Sequence, residues 1–390
     1  MIRAIHRHLL LFIVTIMLVV DATTYYVVDR RPRAGILTIT VGQAPQLAAV
    51  NQREGHAFIV NWNYGGVDTG TPRYRGTMTT LDTRSGSIIA RAKVGVHSVW
   101  MTADRHTGRV FVANIDTSDT VPTPGTVSVF DGQRGALIRQ VVVGRYPNAG
   151  AVDEQTHHVF ITNQLGATVS VLDDDTGRLL RTVVVGHGPG AVAVDSRTHH
   201  VFVANGDDAT LSMLDTRSAA VLRTVNVSRG TQTEVIAVDG RTRRVFVAND
   251  QTVDVLDTRT GGRLRIVNVK VTVFRMAVDE RTNRIFLSGD GHGTVIVLDA
   301  RSGTVLQTVA LGGSVGDIAV DEQNNRVFVA NAGDGVHNGT VSILNATNGR
   351  ILDTITVGVN PGGLAIDENA KRVIIVNSAG DTVNILNANT

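Results

Sequence analysis

AVDSRTHHVFVAN, residues 193–205, decides how this chain is read, because the chain writes it repeatedly. Close copies are AVDEQTHHVFITN (151–163), AVDGRTRRVFVAN (237–249) and AVDEQNNRVFVAN (319–331). Looser ones are LAAVNQREGHAFIVN (47–61), WMTADRHTGRVFVAN (100–114), AVDERTNRIFLSG (277–289) and AIDENAKRVIIVN (365–377). Anchored on the Asp, or on Asn51 in the first copy, the eight fall at 51, 104, 153, 195, 239, 279, 321 and 367. Successive differences are 53, 49, 42, 44, 40, 42 and 46 residues. A strand-rich period of that length predicts a β-propeller, since each unit is a small sheet that cannot bury its faces alone.

Residues 190–227 show one unit as four strands. GAVAVD (190–195) is strand a, VFVAN (201–205) strand b, TLSMLD (210–215) strand c and VLRTVNV (221–227) strand d. The c–d turns read Asp-x-x-x-Gly at Asp82–Gly86, Asp131–Gly135, Asp173–Gly177, Asp257–Gly261 and Asp299–Gly303. Asp folds its carboxylate onto nearby backbone N–H groups and Gly supplies a positive φ, so these acids are turn formers. The last unit has only three strands, GGLAID, RVIIVN and TVNILN, and ILTITVG (36–42) has the missing strand-d pattern. The expected fold is one all-β propeller over 35–390 with eight four-stranded blades, the last closed by the N-terminal strand. Seven blades would follow if one copy were not a blade. Tyr25–Asp29 reads as linker or as an extra outer strand.

Composition agrees. Charged residues are 18% and hydrophobic ones 43%, as sheets buried on both faces require. Lys and Arg number 37 against 35 Asp and Glu, and no run of like charge marks a polybasic arm. Cysteine is absent, which excludes disulfide and thiol chemistry and leaves any metal to His and carboxylates.

VFVAN or VFITN followed by TVSVLDTRTG-type strands, a Thr-Val-Val-Val-Gly strand and Pro-Gly resembles the YVTN family of β-propeller repeats. The likeness covers roughly 35–390. It implies an extracytoplasmic binding propeller, and it also keeps open single-stranded nucleic-acid binding and the lactonase or lyase activities found among propellers generally.

In this strand order the a–b and c–d turns share one face, and the d–a and b–c loops share the other. The b–c loops vary most: 61–76, 114–125 and 331–339 are the long ones. Variable loops on a rigid scaffold are where binding resides. Trp62, Tyr64, Arg73, Tyr74 and Arg75 combine ring faces with guanidinium groups, suited to sugars, anions or stacked bases, and Arg145 and Tyr146 join them as candidates. The alternative is that these aromatics pack over a neighbouring blade. His56, His106, His157, His158, His199 and His200 fall in a–b turns and read as repeat copies, not ligands. His97, His187, His292 and His337 fall on the variable face and are the candidate ligands for copper or zinc. Glu234 is the one Glu near that face, and no nucleophile elbow, P-loop or dinucleotide fingerprint is present.

The expected function is therefore non-catalytic binding of a protein, glycan or other ligand. A metal-assisted lactonase or lyase on the same face and single-stranded nucleic-acid binding are the alternatives. No cofactor is expected outside the metal reading, and a monomer is expected. Arg3, His6, Arg7 and His8 precede an apolar stretch, Leu9–Val20, ended by Asp21. Twelve residues reach only ~18 Å as a helix, short of a ~30 Å hydrocarbon core. Residues 1–22 thus read as an export signal, with a retained membrane anchor as the alternative, and 23–34 as linker. The protein is expected outside the cytoplasm, secreted or at the cell surface. Mass spectrometry of the mature N-terminus should find a chain starting at Thr23, after Ala22; an intact Met1 would overturn cleavage.

Overall fold

A computed structural model of the protein describes residues 35–62, 76–115, 123–228, 230, 235–289 and 293–389. The segments read as signal and linker lie outside the described residues, as do Tyr64, Arg73, Tyr74, Arg75, Glu234 and His292. Within them the chain forms eight four-stranded antiparallel sheets, each strand beside its neighbour in sequence, and innermost strands touch around the ring. The architecture is an eight-bladed β-propeller, which removes the seven-bladed alternative. Blade 4 has strands Pro189–Asp195, His200–Asn205, Thr210–Asp215 and Val221–Asn226, matching the repeat as written in the sequence.

The last blade is Pro361–Asp367, Arg372–Asn377 and Thr382–Asn387, and Leu37–Thr40 completes it. Leu37 lies opposite Ile385 and Thr40 opposite Thr382. Asn384 Nδ2 donates to Thr38 Oγ1 at 2.8 Å, and the Ala44 N–H donates to Asp381 Oδ1 at 2.8 Å. Ile39 and Val41 pack with Ile374, Val383 and Ile385 of this blade and with Ile59 and Leu81 of blade 1.

Each core layer lies between two blades. Phe202 and Met213 of blade 4 pack with Val245, Val247 and Leu256 of blade 5, and the pattern recurs round the ring. One position of strand b carries a fully buried Phe in seven blades, Phe58, Phe111, Phe160, Phe202, Phe246, Phe286 and Phe328, and Ile374 in blade 8. The outermost strands instead expose apolar pairs such as Leu179–Leu180 and Val221–Leu222.

The repeated polar residues are accounted for locally. Asp215 Oδ1 accepts the N–H groups of Arg217 (3.1 Å) and Ser218 (2.7 Å). The Ser218 N–H first of all holds this carboxyl below the usual carboxylate range, as the Ser85 N–H does for Asp82. In the a–b turns the left-handed position is filled by Gly55, Gly108, His157, His199, Arg243, Asn283, Asn325 and Lys371, all at positive φ. The next residue ties its blade to the following one. His158 Nδ1 lies 2.7 Å from the Thr216 carbonyl and His200 Nδ1 2.7 Å from that of Thr258. Arg326 Nη1 reaches the equivalent carbonyl of Ala388 (2.7 Å), and Arg284 Nε that of Thr347 (3.2 Å), one residue further round the corresponding turn. The paired histidines are thus a turn residue followed by an inter-blade tie.

The Asn ending strand b does similar work on the other face. Asn205 Nδ2 donates to Thr210 Oγ1 (3.0 Å) and Ser212 Oγ (2.9 Å). Asn163 Oδ1 accepts the Gly144 N–H at 3.0 Å, and Asn61 Oδ1 that of Gly42 at 3.0 Å. This brings Gly42, Gly95, Gly144, Gly186 and Gly358, each after a strand d, against the next blade's Asn: a Cβ added at Gly186 would fall 2.8 Å from Asn205 Cβ. A Cβ at Gly362 meets nothing within 4 Å. Neither glycine has positive φ, so the contrast is steric. Gly186→Ala should cost ~1–3 kcal/mol by overpacking, and Gly362→Ala less than ~0.5 kcal/mol. Equal urea midpoints for the two variants would contradict the close-approach account.

Candidate functional site

Four of the eight d–a connections follow one pattern, Gly-x-x-Pro, at Gly42–Pro45, Gly144–Pro147, Gly186–Pro189 and Gly358–Pro361, and a fifth has Ser98 in place of Pro after Gly95. The third residue of each is left-handed: Ala44 (φ 46°), His97 (48°), Tyr146 (57°), Gly188 (63°) and Asn360 (55°). A non-Gly residue there carries a conformational cost of ~1–2 kcal/mol. Such strain concentrates where a site is built. Arg145 and His187 occupy the second position. Four sequence candidates therefore sit on two equivalent places of one loop, repeated around the same face.

Each connection is pinned to the following blade's b–c loop. The N–H groups of Trp62, Ile115, Gln164 and Gly206 donate to the carbonyls of Ala44, His97, Tyr146 and Gly188 at 2.9–3.1 Å. Arg145 Nη2 donates to the Leu165 carbonyl at 2.5 Å. His187 N and Nδ1 meet Asp208 Oδ2 at 2.8 and 3.1 Å. In blade 7, Asp334 accepts the His337 N–H at 2.8 Å and faces His337 Nδ1 at 2.6 Å. The His337 N–H first, with the ring, holds the Asp334 carboxyl well below the usual range.

Trp62 is half-buried. Its Nε1 donates to the Ser98 carbonyl at 2.9 Å, its ring packs with Phe58, Met78 and Met101, and His97 meets it edge-on at 6.1 Å. It bridges blades 1 and 2. The long loops are also shorter than the sequence suggests. Strand c starts at Pro124 in blade 2 and at Asn338 in blade 7, and Arg145 ends strand d opposite Pro124. These two hairpins rise above the others as extended ribbons.

The described histidines of the metal reading stand apart, His97 against Trp62, His187 on Asp208 and His337 on Asp334. Among the described residues, no three His or carboxylate groups gather where they could hold an ion. A pair that the sequence reading passed over lies on the innermost strands. Arg275 Nε of blade 6 is 3.7 Å from Asp317 Oδ1 of blade 7, and Asp317 Oδ2 also accepts the Leu364 N–H of blade 8 at 3.0 Å. Burial raises the Asp317 pKa, against the pull of Arg275. The signal was present: both residues interrupt an otherwise apolar strand-a pattern.

The chain is similar in structure to BamB from Moraxella catarrhalis, at a TM-score of 0.63 and 15% identity, over 90% of this chain and 98% of that one. It is also similar to hydrazine synthase from Kuenenia stuttgartiensis, at a TM-score of 0.58 and 15% identity, over 74% of this chain and 95% of that one. At 15% identity the likeness shows the propeller fold alone. No protein-family model matches the chain, and no curated protein matches it, so the YVTN resemblance rests on the repeat motifs. Among the described residues, no helix is long and apolar enough to cross a membrane.

On the turn face, the c–d turn of blade 3 departs from the repeat with a buried acid. The residue after the c–d Asp is Thr in blades 1, 4 and 5, and Thr83 Oγ1 donates to the buried Asp367 Oδ2 of the preceding blade at 2.6 Å. Blade 3 has Asp174 there, facing Asp104 of blade 2, and both side chains are buried. His157 Nδ1 lies 3.1 Å from Asp174 Oδ2, and the His106 ring meets that of His157 at a tilt of 49°, centroids 4.8 Å apart. Burial, then the bond to and repulsion from Asp104, raise the Asp174 pKa from 3.8 to about 6, despite His157. The folded chain thus binds this proton more tightly than the unfolded one, so stability falls as pH rises from about 4 to 6 and is flat above. Asp174→Thr should raise stability by roughly 1–2 kcal/mol at pH 7.5, with the gain shrinking below pH 5. A gain that is constant with pH, or a loss at pH 7.5, would refute the buried-pair reading.

Proposed function

We propose that this chain is a non-catalytic, extracytoplasmic binding propeller that takes a protein or glycan partner across the d–a and b–c loop face. One observation carries the reading. The connection that every blade must make presents different side chains from blade to blade, Arg145, Tyr146, His97 and His187 among them, while its backbone stays pinned. A preorganised backbone with variable chemistry suits recognition, because little loop entropy is lost on binding. Rings and guanidinium groups, which the 61–76 loop also carries, are the side chains that anchor interfaces. Export rests on the N-terminal pattern of a basic segment before a short apolar one.

The metal-assisted reading would require a His–Asp pair such as His187–Asp208 to meet further ligands, and the pairs lie on separate blades. Testing the binding reading calls for a variant that spares the scaffold. Trp62 is excluded because truncating it removes packing and a hydrogen bond. Tyr64, Arg73, Tyr74, Arg75 and Arg145, each replaced by Ala, should leave the urea midpoint within ~0.5 kcal/mol of the parent. The same variant should lose at least tenfold in affinity for partners recovered from a cell-envelope extract or a glycan array by the parent. Retained binding, or a parent that recovers no saturable partner, would sink the proposal.

A further inference from the structure

The turn face opposite carries a cavity of about 440 Å³ between blades 4 and 5, lined by Arg197, His200, Gly240, Arg241, Arg243 and Arg259. Its charge follows from departures in the repeat. The residue after the strand-a Asp is Glu in blades 3, 6, 7 and 8 (Glu154, Glu280, Glu322 and Glu368) but Ser196 and Gly240 in blades 4 and 5. The left-handed turn position is Arg only in blade 5, at Arg243. Two acids are thus missing and one cation added at the same junction.

The remaining acids nearby are engaged. Asp195 and Asp239 are buried under their own turns, where they accept the N–H groups of Arg197 and Thr242. Glu280 accepts the Gly240 N–H at 3.0 Å and pairs with Arg197 Nη2 at 2.9 Å. Asp257 holds its own turn and lies 3.6 Å from Arg244. Arg241 reaches only the Glu280 carbonyl, at 3.3 Å, which takes no charge from it. Among the described residues, Arg243 and Arg259 have no carboxylate within ion-pair distance. His200 is committed through Nδ1 to the Thr258 carbonyl at 2.7 Å, which leaves Nε2 as its remaining polar atom. Three guanidinium groups with no carboxylate in ion-pair contact, among the described residues, therefore border one concave space. Holding like charges together costs free energy unless an anion joins them, and the guanidinium fork matches phosphoryl oxygens.

We propose that this cavity binds a phosphate-bearing anion with at least two phosphoryl charges, independently of the loop face. One phosphate group carries about −1.5 to −2 at pH 7, less than the three guanidinium charges at this site, so a second phosphoryl group is needed to match them. The same chemistry is offered by a soluble diphosphate or by a cluster of anionic lipid headgroups.

Calorimetric titration of the full chain with pyrophosphate at low salt should show saturable binding that weakens as salt rises. Arg243→Asn places the residue of blades 6 and 7 at the same turn, and Arg259→Gln the residue that blade 2 has as Gln133, so the fold is retained. The double variant should bind pyrophosphate at least tenfold more weakly with an unchanged urea midpoint. Arg217→Gln, at the equivalent blade 4 position outside the cavity, should bind as the parent does. Flotation with phosphatidylglycerol vesicles separates the sources. Vesicle binding that pyrophosphate displaces and the double variant loses assigns the headgroup; pyrophosphate binding alone assigns a soluble ligand. No saturable binding of either probe, or affinities that the double variant leaves unchanged, would overturn the site.

Discussion

A four-stranded sheet whose two faces are both apolar is stable only with a neighbour on each side, and everything else in this molecule follows from that. Strand b of each blade buries a Phe or Ile completely, but against side chains that belong to the next blade. The requirement passes round the ring until the last blade meets the first, where Leu37–Thr40 pairs with Thr382–Asn387. Closure covers the last apolar face and places the first and last described strands in one sheet.

The same constraint divides the polar residues into two kinds. At each end of a blade, backbone groups must be satisfied where chain crosses from one sheet to the next. On one face, in most blades, an Asn folds back over strand c and presses on a glycine of the incoming connection. On the other, an Asp turns the chain and a His or Arg reaches the following blade. Once these ties are made, the side chains between them are free to differ without loosening the ring. That freedom separates the loop face, with its strained His97 and Tyr146, from the turn face, where the basic junction of blades 4 and 5 stands out.

Much of this was legible from residues alone. The spacing of the Asp anchors implied the blades, and the three-stranded final unit implied that ILTITVG would complete it. The paired histidines were recognised as repeat copies, although their division into a turn residue and an inter-blade tie needed the partner carbonyl, some 58 residues further on. The equivalence of His97 with Tyr146, and of Arg145 with His187, was written in the Gly-x-x-Pro motif but masked by the differing side chains. Arg275 and Asp317 broke the strand-a pattern visibly; their meeting across two blades did not show.

The sequence by itself determined the blade, its turns and the number of copies, because these rest on local patterns of two to four residues repeated at a steady period. Only the tertiary structure decided which charges stand unopposed. Whether an arginine is compensated depends on acids one or two blades away: Glu280 of blade 6 reaches back to Arg197 of blade 4, and among the described residues no carboxylate pairs with Arg243 or Arg259. Likewise Asp174 differs from every other c–d turn residue because the ring seats it against Asp104, 70 residues earlier in the chain. Electrostatic contacts act through space over a few ångströms, and the closing of the ring sets those distances.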